Sequence, residues 1–87
     1  MYLHLGEETV IRDENIIGIF DLEITSQSKI TRNFLADEEK KKNVVNVSEE
    51  LPRSFIVCNE KGKNTTYISQ ISSQTITRRS KNAANFE

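Results

Sequence analysis

The sequence predicts an α+β fold, a small and mostly antiparallel sheet with one main helix and a short C-terminal helix. Three observations carry that expectation. β-Favouring apolar runs recur along the chain, with polar or glycine-containing turns between them. One stretch near residues 28–42 instead spaces its apolar residues helically. The order that results, β-β-β-α-β-β-β-α with short connections, suits helices laid on an antiparallel sheet.

Leu51-Pro52-Arg53-Ser54-Phe55-Ile56-Val57-Cys58 anchors this reading. An apolar run with no polar alternation is a strand buried on both faces. Proline cannot donate to a sheet ladder, so Pro52 lies outside the paired region and Arg53 stands at the strand's mouth.

The remaining elements follow in order. Tyr2-Leu3-His4-Leu5 and Thr9-Val10-Ile11-Arg12 flank a turn at Gly6-Glu7-Glu8 and form a hairpin. His4 faces opposite to its two leucines, and with no acid or cysteine at ligand spacing it reads as structural. Asp13-Glu14-Asn15 is a capped turn. Ile16 to Ile24 reads as one long strand, with Gly18 marking a bulge or a close approach. Thr25-Ser26-Gln27-Ser28 are N-cap formers for a helix running to about Lys42. Ile30, Phe34 and Leu35 share one side of it and should dock on the sheet. Acid-to-base pairs at i, i+3 (Asp37–Lys40, Glu38–Lys41, Glu39–Lys42) suit a solvated helix end. Asn43–Val47 is a short strand, and Asn59–Asn64 has the polarity of a hairpin connection. Thr65 to Ile71 returns beside the anchor strand. Ser72-Ser73 caps a last helix over Gln74–Arg79, with Ile76 as its inward anchor.

Size and composition bound the function. The chain has 87 residues, 29% of them charged, which fits one small soluble domain over residues 1–80 and a frayed, disordered tail over 81–87. At this size roughly 60–65% of the unfolded surface is buried, a thin core for which oligomerisation is a common remedy. No apolar run approaches the roughly 18 residues of a membrane span, and the opening Met1-Tyr2-Leu3-His4 lacks the basic segment of a secretory leader. A cytoplasmic protein is expected. The single cysteine, Cys58, lies in an apolar strand and reads as a packed thiol. No cofactor or metal motif is present, and the paired carboxylates fall in loops, so catalysis is not expected.

Charge is unevenly distributed. Residues 1–25 hold six acids against Arg12, a net of −5, whereas residues 54–87 hold five bases against two acids, a net of +3. The cations that could meet a polyanion are Arg53 at the strand mouth, Arg78 and Arg79 in the last helix, and Lys61 and Lys63 in the hairpin. Arg78 and Arg79 also complement a helix C-terminus, and loop lysines are solubilising.

Taken together, several segments resemble the RemA/RemB family of bacterial extracellular-matrix (biofilm) gene regulators, and its RemB branch most closely. These are Met1-Tyr2-Leu3-His4-Leu5-Gly6, Ile16-Ile17-Gly18-Ile19-Phe20-Asp21, Pro52-Arg53-Ser54 before an apolar strand, and Ile71-Ser72-Ser73 before a basic helical end. The resemblance implies a subunit fold like the LytTR DNA-binding domain and a homo-oligomeric ring. It implies a DNA-associated transcriptional regulator of matrix genes, with double-stranded DNA held through its phosphate backbone. RemA-type sequences carry adjacent arginines just before the anchor strand, where this chain has Glu50 and Leu51, and another near Ile16. Arg53 is retained, as in the RemB branch. The expected phosphate contact is therefore Arg53, with Arg78, Arg79, Lys61 and Lys63 as weaker ones. The competing expectation is a protein-interaction module that partners a RemA-type paralogue without touching DNA, through sheet edges or Phe86.

Overall fold

A computed structural model describes residues 2–25 and 28–80. Strands β1 (Tyr2–Gly6) and β2 (Thr9–Arg12) form an antiparallel hairpin whose register shifts between His4 and Gly6. Its tight turn needs left-handed backbone at Glu7 (φ 47°), and Gly6 before it lies at φ 127°. Leu3, Leu5 and Ile11 point inward, while His4 is exposed and its ring Nε2 donates to the Glu7 carbonyl at 2.6 Å.

A 3-10 helix at Asp13–Asn15 leads into β3 (Ile16–Asp21). The expected strand to Ile24 stops here. The Asp21 carboxylate accepts from the Glu23 amide at 2.7 Å and starts a short helix, α1 (Leu22–Thr25). Helix α2 (Lys29–Lys40) is capped by Ser28, whose hydroxyl accepts from the Thr31 amide at 3.5 Å, and it ends two residues before the expected Lys42.

Strands β4 (Val44–Asn46), β5 (Ser54–Glu60) and β6 (Lys63–Ser69) complete a four-stranded sheet in the order β3-β5-β6-β4. β5 is central, antiparallel to both neighbours, and buried without interruption from Ser54 to Cys58. The edge strand β4 runs parallel to β6. Lys61 (φ 53°) and Gly62 (φ 84°) make a two-residue turn between Glu60 and Lys63, closed by the Asn59 side chain, which donates to Asn64 Oδ1 and accepts from the Gly62 amide. Helix α3 (Ser73–Arg79) is capped by Ser72, which accepts from the Thr75 amide at 3.2 Å.

The two faces of the sheet are covered unequally. On one, Ile16, Ile56 and Cys58 pack with Leu3, Leu5 and Ile11 of the first hairpin, Val47, and Ile76 of α3. Ile76 is fully buried, the inward anchor expected of it. Two polar ties close this layer: Ser69 Oγ donates to the Leu5 carbonyl at 2.6 Å, and Ser80 Oγ donates to the carboxylate of Asp13. Asp13, counted from sequence with the acidic front of the chain, is buried by that contact.

The other face carries Phe20, Phe55, Val57 and Thr66, and α2 lies across part of it. Phe34 tilts over Phe55 with ring centroids 6.4 Å apart. Leu35 is half-buried, but Ile30 does not dock as expected and is 82% exposed. The carboxylate of Glu38, expected in a surface pair with Lys41, is buried instead and accepts from Thr66 Oγ1 at 3.0 Å and Asn43 Nδ2 at 3.2 Å. Lys41 pairs with Asp37, one helical turn back, at 3.0 Å. The helix is thus fixed at its C-terminal half by a buried polar contact, and its N-terminal half stands away from the sheet.

Candidate nucleic-acid interface

Arg53 directly precedes β5. Its amide donates to the Ser69 carbonyl at 2.9 Å, and its carbonyl accepts from the Leu22 amide at 3.0 Å. Both backbone groups are committed to neighbouring elements, so the position is rigid while the guanidinium is free to reach solvent. Ser54, next in the chain, is fully buried and donates to the Ile71 carbonyl at 2.7 Å, which ties the strand mouth to the start of α3. A cation presented this way loses little backbone freedom on meeting a phosphate.

Lys61 and Lys63 sit at the other end of β5. Seven strand residues separate them from Arg53, or about 23 Å at 3.3 Å per residue. Lys63 shares a shallow depression of about 150 Å³ with Arg12, Glu60, Asn15, Tyr2 and Tyr67. The charges there are mixed. Arg12 is paired with Glu14 at 2.8 Å, and that hydrogen bond raises the guanidinium pKa above its ordinary value.

Arg78 and Arg79 occupy the last turn of α3 and are exposed. Arg78 Nη2 donates to Thr75 Oγ1 at 3.2 Å, and Arg79 Nη1 donates to the His4 carbonyl at 3.1 Å. Arg79 therefore also fastens the last helix to the first strand. The five cations singled out from sequence thus fall in three places. Two lie at one end of the central hairpin, one at the other, and two at the end of α3.

An open apolar cleft lies where sequence reasoning expected core. Ile17, Phe20, Phe55 and Val57 on the sheet face Ile30, Thr31 and Phe34 on α2 across a cleft of about 320 Å³. Phe20 stacks on Phe55 at 4.8 Å and 16°. Gly18 makes that stack possible, since a Cβ there would come within 2.7 Å of the Phe20 ring. The signal in the sequence was the bulge glycine, whose register shift between Ile16 and Gly18 leaves Ile17 on the cleft and 53% exposed.

No group of three or more His, Cys, Asp or Glu that could hold a metal occurs among the described residues, and no helix among them is long and apolar enough to cross a membrane. Burial pushes the Cys58 thiol up to about 12, which keeps it protonated and unreactive near neutrality. Phe86, a contact weighed from sequence, lies with the expected tail outside the described residues.

Comparison with known proteins gives two findings. The RemA-like family, described as extracellular matrix regulatory protein A-like, matches residues 2–79. Extracellular matrix regulatory protein B of Bacillus subtilis (strain 168) is 33% identical over 81 residues, covering 93% of this chain and 91% of that protein.

Proposed function

This chain belongs to the RemA-like family of extracellular matrix regulators, and from that membership we propose that it is a cytoplasmic, DNA-associated transcriptional regulator that works as a homo-oligomer. The family is one of regulators rather than enzymes. The observation that carries the DNA reading is Arg53, an exposed guanidinium on a backbone pinned at both its amide and its carbonyl. Arg78, Arg79, Lys61 and Lys63 are weaker phosphate contacts, since both arginines also have hydrogen-bond partners within the fold and Lys63 lies beside Glu60.

The distribution of these cations supports oligomerisation. A subunit of net charge −1 with its cations in three places can meet a few phosphates at a time. Several linked subunits, in a closed ring, present the same cation repeatedly and gain through effective concentration. Gel retardation of duplex DNA at low salt tests the proposal. The wild type should retard the duplex and Arg53→Ala should weaken that several-fold. Failure of the wild type to retard any duplex at low salt would remove the reading.

One observation favours a second reading. The cleft between α2 and β3 is almost wholly apolar, the chemistry of protein contact rather than of phosphate. On that reading the chain is an interaction module for a RemA-type paralogue, and copurification of that partner without DNA would support it.

A further inference from the structure

The cleft and one exposed side chain elsewhere on the subunit are complementary. Leu51 is 83% exposed, yet it sits on a loop that is held in place. The loop's ends are pinned to β6, where the Val47 amide donates to the Ile68 carbonyl and the Arg53 amide to the Ser69 carbonyl, each at 2.9 Å. Within it, the Glu50 amide donates to Ser48 Oγ at 3.0 Å, and Pro52 stiffens the exit. An apolar side chain on a pre-ordered loop loses little entropy when it inserts into a pocket.

Charge agrees with shape. Leu51 follows Glu49 and Glu50, whereas the helix that forms one wall of the cleft opens Lys29-Ile30-Thr31-Arg32 with no acid in its first turn. Position sets the two patches apart. The loop crosses the end of β6, two strands in from the edge strand β3 that forms the other wall, and Leu51 is not among the residues lining its own cleft. A second copy, head to tail, brings loop and cleft together, and a rotation that closes yields a ring.

We propose that Leu51 of one copy seats in the Ile17–Phe20–Ile30–Phe34 cleft of the next, with Glu49 and Glu50 against the Lys29–Arg32 end of α2. The assignment rests on the homo-oligomer reading above and names the surfaces that make it. Phe20 and Phe34 supply the aromatic floor, and Ile30 closes over the inserted leucine.

The test is native mass spectrometry with light scattering on the full chain, on Leu51→Asp and Ile30→Asp singly, and on their equimolar mixture. Both sites are exposed, so both variants should keep the wild-type circular dichroism spectrum, with a melting point lowered only by the loss of assembly. Expected are an oligomeric wild type, two monomeric variants with dissociation constants raised at least about tenfold, and a dimer on mixing. Mixing leaves one intact loop opposite one intact cleft. An oligomeric wild type whose two variants keep its mass, or whose mixture stays monomeric, would overturn this interface and leave the homo-oligomer reading standing. A wild type that is monomeric at every concentration would overturn both, as would a cleft that fills only when a RemA-type protein is added.

Discussion

Glu38 and Cys58 show what burial does to single groups in so small a core. Glu38 has two neutral donors and lies under α2, so its carboxylate depends on Thr66 and Asn43 for the solvation it has given up. Replacing Thr66 by valine keeps the shape and removes a donor to a buried charge. The expected cost is about 1.5–3 kcal/mol in chemical denaturation, with Thr66→Ser recovering most of it. For Cys58 burial acts on the thiol proton. Folded and unfolded chains both hold the thiol proton below pH 9. Above it the unfolded thiol ionises, while the folded one, raised to about 12, does not. Stability is therefore intact below the unfolded value and lost between roughly pH 9 and 12, with a slope of at most about 1.4 kcal/mol per pH unit from this group. Subtracting the denaturation profile of Cys58→Ala from that of the wild type isolates the contribution. The same protonation predicts that the thiol reacts with an alkylating reagent at pH 8 only after denaturant is added.

Elements were unequally legible. β5 could be read directly, because a strand covered on both faces leaves an unbroken apolar run. Both hairpin turns and the serine caps of α2 and α3 were visible for a local reason: the residues that make them need no distant partner. The end of β3 was hidden, since Leu22 and Ile24 continue its alternation while Asp21 turns the backbone into α1. Helical periodicity picks out a face of α2 but not how much sheet that face will find, so Ile30 looked like core. The parallel pairing of β4 with β6 was likewise unreadable, because strand direction is set by the path of the connecting loop. Within β3, Gly18 gives an element-scale prediction. Gly18→Ala forces the Phe20 ring off Phe55 and should cost about 1 kcal/mol, the low end for overpacking because Phe20 can swing outward. In a Phe20→Ala background the same substitution should cost almost nothing, a coupling that a double-mutant cycle reads directly.

At the scale of the whole molecule, the sequence named candidate cations but not their arrangement. The uneven charge along the chain, −5 over residues 1–25 and +3 over 54–87, did not foretell separate faces. The fold buries Asp13, pairs Arg12 with Glu14, and sets Lys63 beside Glu60. On the proposed assembly, sorting of charge falls to copies related by symmetry, which would repeat one exposed cation at a fixed spacing. A thin core, an open apolar cleft and scattered cations are the three features on which the proposed assembly rests.

The central claim is that cations pooled from several copies hold DNA, and the dependence of duplex affinity on salt measures it most directly. Each phosphate contact contributes a slope of about −0.9 to log K against log salt. A lone subunit with a few contacts gives a shallower slope than copies that pool theirs. Titrating a labelled duplex by fluorescence anisotropy from 25 to 200 mM salt (about one decade, where such slopes are resolved) should give a slope steeper than about −4, falling markedly in Arg53→Ala. A slope near zero, or one that Arg53→Ala leaves unchanged, would contradict the account.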